Sequence, residues 1–567
     1  MGSARCFLPA PRGAVAVAVA AASSLLTPGE ARAEAAGTVG TSEAATAPAR
    51  PTPVPDEDLP SLRELRLPSG RTNMPAPQPG VVRLEMHGEY QVRLTALSPL
   101  ELRPPPRQPT HDSLSQTLRL QHWQRLTPVL QLGEQFDVTG QLEVPRGLIA
   151  GQHTRSVSAA REPLDDRQPL GFEFRWLYAR WLSRSAEVWA GQQPSHFGLG
   201  LVENDGNQVT LFGDSRYGNQ VERLLLLLRP GGTRSPWSFR LAGDLVYRDP
   251  WAELDQQDVA LRAAVGAGYQ DRRENALALR GAFRHQRRPD DSLEGYAFHE
   301  ELDWFTLGSF GGFNLDVPGT TNRLFGETEV ALRFGSTNII RTVSEVRADE
   351  RERVLAYGAV ARLGVAFTRG SGARAWSPAV VTVEWGWASG DADPYDGTFR
   401  QFSFAPDHNV GLVLFDEVLA WKTARSATIA QDDALVGRPD PAARLLPSNG
   451  AVFGATYVNP TLVLRPLPEL DWKLGVLVAQ TTSDLVDPSV VRSEGRYVNY
   501  DGGSPTNHDL GLELDTGVEY RLPIARGATL ALGAQGGVLF PGNAFADAAG
   551  SRMETQYLGA GRFGLLY

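Results

Sequence analysis

From Val82 to Leu94 apolar and polar residues alternate without a break. One parity reads Val82, Leu84, Met86, Gly88, Tyr90, Val92 and Leu94; the other reads Arg83, Glu85, His87, Glu89, Gln91 and Arg93. Period two sends successive side chains to opposite faces of a strand, so the run predicts one apolar and one polar face. Ordinary globular strands run about 5 or 6 residues. This one exceeds the roughly 9 to 11 residues that a tilted strand needs to cross a bilayer. The pattern returns later in the chain. Trp237, Phe239, Leu241, Leu245 and Tyr247 oppose Ser238, Arg240, Asp244 and Arg248, and Leu510, Leu512, Leu514, Val518 and Tyr520 oppose Asp509, Glu513, Asp515, Glu519 and Arg521.

Candidate strands fall at 81–95, 114–126, 134–144, 171–182, 185–192, 221–230, 236–248, 258–270, 274–287, 293–306, 323–336, 354–369, 378–390, 450–466, 469–482, 509–523, 527–540 and 554–567. They predict an all-β fold: a transmembrane antiparallel β-barrel of about 18 strands, with 16 as the alternative even number. Lipid offers no hydrogen-bond partner to a strand edge, so the first and last strands are expected to pair. Short turns such as Asp271-Arg272-Arg273 alternate with longer loops, as in a barrel with one short-turn end and one long-loop end.

The remaining segments assign the compartment. Arg5 and Arg12, the apolar stretch 14–26 and Ala31-Arg32-Ala33 read as a signal peptide over residues 1–33. Residues 34–80, rich in Pro, Ala and Thr, read as a flexible periplasmic linker, with a marginal short helix at 59–67. Residues 81–567 form the barrel. Cys6 leaves with the signal, so the mature chain has no thiol for a disulfide, a metal site or a nucleophile. Cleavage removes three of the 55 basic and one of the 65 acidic residues, leaving a net charge of −12. That balance lacks the basic stripe that nucleic-acid binding needs, so no nucleic-acid partner is expected. No apolar run beyond the signal approaches the roughly 18 residues of a transmembrane helix; membrane contact must come through strands.

Counting back by twos from the end gives Tyr567, Leu565, Phe563, Gly561, Gly559 and Tyr557. This resembles the C-terminal aromatic signal read by the outer-membrane barrel assembly machinery, with tyrosine in place of the commoner phenylalanine. The resemblance implies that machinery, and outer-membrane lipid, as partners. Two further stretches, VWAGQQPSHFGLG at 188–200 followed by NDG at 204–206, and SGDADPYDG at 389–397 with FSFAPD at 402–407, resemble porin-like barrels of the alginate-export type and related outer-membrane barrels. That resemblance implies an 18-stranded pore in the Gram-negative outer membrane, passing an anionic exopolysaccharide or another polar solute.

A barrel of this width encloses a water-filled or loop-plugged lumen. Its expected lining is the polar parity: Arg83, Arg93, Arg240, Arg280, Arg284, Arg333, Arg362, Glu384, Lys473, Glu513, Asp515, Glu519 and Arg521. The signs are mixed, so no ion selectivity follows. The expected function is therefore a channel and not an enzyme. Two other classes remain: a barrel enzyme, for which Ser195-His196 is the only adjacent Ser/His pair, and an adhesin or structural barrel without an open pore. On a strand that pair would point to opposite faces. Residues 391–449 lack alternation yet carry Phe399, Phe402, Phe404 and Phe415, so they are expected to fold inward as a pore-constricting loop. Asp391, Asp393 and Asp396 at its start are spaced loosely like a calcium loop, with Asp407 or Glu417 as the only candidates for the later carboxylate. No other cofactor is expected.

Overall fold

The computed structural model describes residues 82–103, 113–114, 117–151, 171–207, 211–212, 218–232, 235–271, 274–290, 298–339, 351–369, 376–432, 441–525 and 527–567. The expected signal peptide and linker lie outside them. Eighteen strands of nine or more residues are present: β1 (Val82–Leu97), β2 (Thr117–Leu132), β3 (Phe136–Gly151), β4 (Gly171–Leu182), β5 (Ala186–Pro194), β6 (Gln220–Leu228), β7 (Trp237–Asp249), β8 (Val259–Gln270), β9 (Ala276–Asp290), β10 (Phe298–Asp316), β11 (Arg323–Thr337), β12 (Glu352–Arg369), β13 (Trp376–Ala388), β14 (Ala455–Leu467), β15 (Leu470–Thr481), β16 (Asp509–Ala525), β17 (Ala528–Pro541) and β18 (Gln556–Leu566).

Each strand pairs antiparallel with the next, and β18 returns to β1 over Glu89↔Leu566 through Leu97↔Leu558. The sheet closes at 18 strands, and the sixteen-stranded alternative falls. Every candidate segment matches one strand, but several boundaries move. Candidate 293–306 becomes 298–316, because Gly308, Gly311 and Gly312 blur the alternation in its second half. Candidate 114–126 shifts to 117–132, since Pro128 and the Leu130 to Leu132 stretch continue the ladder with β1 beyond the clear period.

The alternation sorts the wall. Leu84 is 65% exposed and Leu279 56%, while Arg93 is 3% exposed and Asp137 fully buried. Unlike a soluble protein, this chain turns its large apolar side chains outward, from Phe172 and Trp181 round to Leu532 and Phe563. Such a belt is stable only where hydrocarbon covers it.

The lumen is filled. Between β13 and β14, a π-helical turn (Leu414–Leu419) runs into helix α1 (Ala420–Ala430), ten of whose eleven residues are buried. Phe402, Phe404, Leu412, Leu414, Phe415 and Trp421 pack into one apolar cluster with inward wall residues such as Phe310, Leu477 and Leu539. The loop after β5 joins it through Phe197, Leu199 and Leu201, and the segment after β1 through Leu97 and Leu100. A helix buried on all sides holds only if its polar groups are matched. Here Lys422 pairs with Asp501, and the Trp421 indole donates to Glu417 at 2.7 Å.

Candidate functional site: a plugged lumen with a cationic wall

The plug is attached along one side of the barrel. Glu513 on β16 is fully buried, and its carboxylate accepts the backbone N–H groups of Leu412, Val413 and Leu414 at 2.5, 2.8 and 2.7 Å. Four strands further round, Arg119 on β2 donates to Glu417 at 2.6 Å, both groups being buried. On β2 to β4, Glu143 gathers Arg125 at 2.5 Å, Arg146 at 2.7 Å and Arg175 at 3.1 Å, and Glu173 also takes Arg146, so every one of these guanidiniums has a carboxylate partner within the wall. Burying that many ions holds only because each guanidinium finds a carboxylate.

The arc from β6 to β11 differs. Its inward positions alternate arginine with short side chains: Ser238, Arg240 and Ala242 on β7, Arg262, Ala264 and Gly266 on β8, and Ala278, Arg280, Ala282 and Arg284 on β9. Short residues leave space that the plug does not fill: two cavities lie along this arc, and a third adjoins them at Pro250 and Trp251. At the long-loop end, a cavity of about 120 Å³ is lined by Trp251, Phe399, Phe404, Phe453, Asp391 and Arg492. In the middle, about 30 Å³ lies among Glu203, Asp249, Trp251, Arg262, Arg284 and Arg333. Towards the short-turn end, about 70 Å³ is bounded by Phe197, Arg223, Arg240, Gly266 and Arg280. The middle space holds about two waters, by the roughly 10 to 15 Å³ that each requires.

The middle and short-turn cavities are cationic. Glu203, from the loop after β5, pairs with Arg262 and with Arg280 at 2.7 Å, and Asp244 takes Arg223 at 2.7 Å and Arg262 at 2.6 Å. Asp249 pairs with Arg284. Six arginines thus face three carboxylates. Arg240 makes no ion pair or side-chain hydrogen bond with the described residues. Arg333, 5% exposed, instead lies over the rings of Phe402 at 4.9 Å, Trp304 at 5.0 Å and Trp251 at 6.0 Å.

The thirteen expected lining residues all sit on the inner parity, but the plug divides them. Arg240, Arg280, Arg284 and Arg333 line the cavities. Arg362 is held by Glu384 at 2.7 Å, and Glu384 also accepts from the Tyr457 hydroxyl at 2.7 Å. Lys473 lies 4.6 Å over Phe212, and Glu519 takes Arg521 at 3.2 Å together with Arg562. Glu513 holds the plug, with Asp515 two residues along the same face. Arg93 is buried in the wall, and Arg83 pairs with Glu85 at 2.7 Å at the short-turn rim. Arg223, Arg262, Glu203 and Trp251 belong to the cavities without having been singled out. Arg262 carried a usable signal, inward parity between Ala260 and Ala264; Glu203 and Trp251 lie in aperiodic loops.

The calcium expectation is not carried further. Among the described residues no three His, Cys, Asp or Glu side chains come together to hold a metal. Asp391 accepts the N–H groups of Asp393 at 3.2 Å and Arg400 at 2.9 Å, Asp393 that of Tyr395 at 3.1 Å, and Asp396 binds the Arg400 guanidinium at 2.7 Å. Each carboxylate thus serves its own turn, and Asp393 also accepts from the Tyr497 hydroxyl. Asp407 accepts from Gly218 N–H at 2.7 Å, and Glu417 is paired with Arg119. Ser195 and His196 lie just beyond β5; Ser195 donates to Glu203 at 2.5 Å and His196 bonds to the Gly198 carbonyl at 3.2 Å, so they form no dyad.

A closed 18-stranded antiparallel barrel with an apolar outer belt and a charged interior defines an outer-membrane β-barrel protein. No protein-family model matches the sequence, and no curated protein matches it. Among solved structures the chain is similar in fold to Pseudomonas aeruginosa OccK1 (OpdK), at 8% identity and TM-score 0.43, covering 85% of this chain and 99% of that one. It is also similar to OccK11 (OpdR) of the same organism, at 11% identity and TM-score 0.42 over 87% and 98% of the two chains. OccK2 (OpdF), solved in complex with glucuronate, aligns at 9% identity and TM-score 0.42 over 85% and 96%.

Proposed function

We propose that the protein is a porin-like channel through which small polar solutes, anions in preference, cross the outer membrane along the β6 to β11 wall. The observation that carries this reading is the pair of cavities on that wall where six arginines face three carboxylates, adjoining a third cavity at the long-loop end. Fixed wall charges act at short range in a narrow lumen and favour counter-ions. Export of an anionic polysaccharide is not supported by spaces of about 30 to 120 Å³ beside a packed plug; a polymer would need the plug displaced. Enzymatic chemistry is no part of the proposal.

Single-channel recording in planar bilayers tests it. Wild-type protein should give discrete conductance steps with anion preference, and deletion of residues 398–430 should enlarge them. Arg240→Glu breaks no ion pair among the described residues, and should move the reversal potential towards cations. A purified, heat-modifiable barrel without steps, intact or deleted, would end the channel reading. An unmoved reversal potential would take the route off this wall.

A further inference from the structure

The outer and middle cavities meet at one side chain. Trp251 lines both, with its neighbour Pro250. Its backbone is pinned. Asp249 Oδ1 accepts the N–H groups of Trp251 and Ala252, each at 2.9 Å, and the Trp251 carbonyl accepts from the Gln286 side chain at 2.8 Å. The same Asp249 carboxylate binds Arg284 on the cavity wall, which ties the turn to the barrel.

The ring, by contrast, makes no hydrogen bond among the described residues; it packs beside the apolar cluster of Leu302, Trp304, Ile339 and Val354. Trp304 meets it edge-on at 5.0 Å and 86°, and Phe399 at 5.8 Å and 81°. The Arg333 guanidinium lies 6.0 Å from it on the inner side. The indole is half-buried, so one part of it faces open space. Contacts of this kind are individually weak beside a buried ion pair, so the indole can turn while its backbone stays fixed. On one side of it lies an apolar and aromatic chamber; on the other, Arg262, Arg284 and Arg333 surround space for about two waters.

We propose that the Trp251 indole is the specificity-determining partition of the channel, separating the outer cavity from the arginine-lined one and setting the largest solute that passes between them. The inference rests on the channel reading. It assigns size selection to one side chain on a turn of the wall, and not to the plug loop. A solute reaching the outer chamber must slide past or turn this ring before it meets the arginines, so flat or narrow anions pass and bulky hydrated ones are held back.

The test uses the whole protein in planar bilayers, with potassium chloride current as the readout and graded polyethylene glycols added on the long-loop side to find the largest polymer that enters. Trp251→Ala should raise conductance about twofold or more and admit larger polymers, as wall side chains at a constriction set both quantities. Trp251→Phe keeps a ring against Trp304 and should stay near wild type. Should the alanine variant fail to give a heat-modifiable barrel, Trp251→Leu reads the same quantity with the apolar contact kept. A conducting wild type with unchanged conductance and polymer cut-off in the truncated variant overturns the partition alone. Silence from wild type and every variant overturns the channel reading and this inference together.

Discussion

The ring of Tyr567 lies directly over Gly88, where the last residue of the chain meets the first strand. Gly88 N–H donates to the Tyr567 carbonyl at 2.8 Å, the Tyr567 N–H returns to the Gly88 carbonyl at 2.9 Å, and the Tyr567 hydroxyl accepts from Gln124 at 2.8 Å. A Cβ on residue 88 would stand 2.6 Å from Tyr567 Cζ and 2.8 Å from the Arg125 carbonyl oxygen. The absent side chain at 88 therefore makes room for the terminal ring at the seam that removes the barrel's free edge. Gly88→Val should disturb closure, at a cost of about 1 to 3 kcal/mol typical of overpacking. Heat modifiability on gels reads the folded fraction. A Gly88→Val barrel as heat-stable as wild type would show that the ring simply moves aside.

Glu513 holds the plug by another route. Gly411 adopts a φ of 74°, and a Cβ there would meet Glu513 Oε1 at 2.7 Å, so glycine lets the next three amides converge on one carboxylate. Glu513→Ala would strand three buried N–H groups, each costing about 1 to 3 kcal/mol when left unmet. The expected outcome is loss of hydrogen-exchange protection across 412–430 with the strands unaffected, and noisier current in bilayers. Glu513→Gln, which retains one acceptor oxygen, should fall between. Unchanged protection in the alanine variant would mean that apolar packing alone seats the loop.

The barrel was legible because lipid outside and polar groups inside impose period two on every strand, and alternation such as that of Leu277, Leu279 and Phe283 against Arg280 and Arg284 survives translation into the wall. Parity also puts the thirteen expected lining residues on one face, the inner one. What parity could not say is which of them faces space and which faces plug. Glu513 and Arg280 look alike along their strands, yet one is capped by three plug amides while the other borders a cavity. That distinction is made by aperiodic loops, through Leu412 to Phe415, Phe197 and Trp251, whose positions depend on contacts remote in sequence. The leucine run 224–228 hides the phase of β6, which is why Arg223 was not singled out. Aspartate spacing at 391–396 does not by itself separate two uses, because Asx turns and calcium loops draw on the same residue types.

Asp391 makes the same loop sensitive to pH. Burial pushes its carboxyl up to about 6, against the two backbone N–H bonds that favour the ionised form. The folded loop therefore keeps a proton that the unfolded chain releases near the ordinary value of about 3.9. A group that binds its proton more tightly when folded adds stability fully below about pH 4, and that contribution is lost as pH rises through about 6. Order in residues 391–400 should accordingly decline between pH 4 and 6 and then level off. Hydrogen exchange corrected for intrinsic rates, or limited proteolysis with a protease active over that range, measures it. Asp391→Asn cannot ionise and should keep protection flat across the interval. Because Asp391 lines the outer cavity beside Phe399, the wild-type current should be noisier at pH 7 than at pH 4.5, and the asparagine variant equally quiet at both. Equal protection of the wild-type loop at the two pH values would show that another group, or none, governs its order.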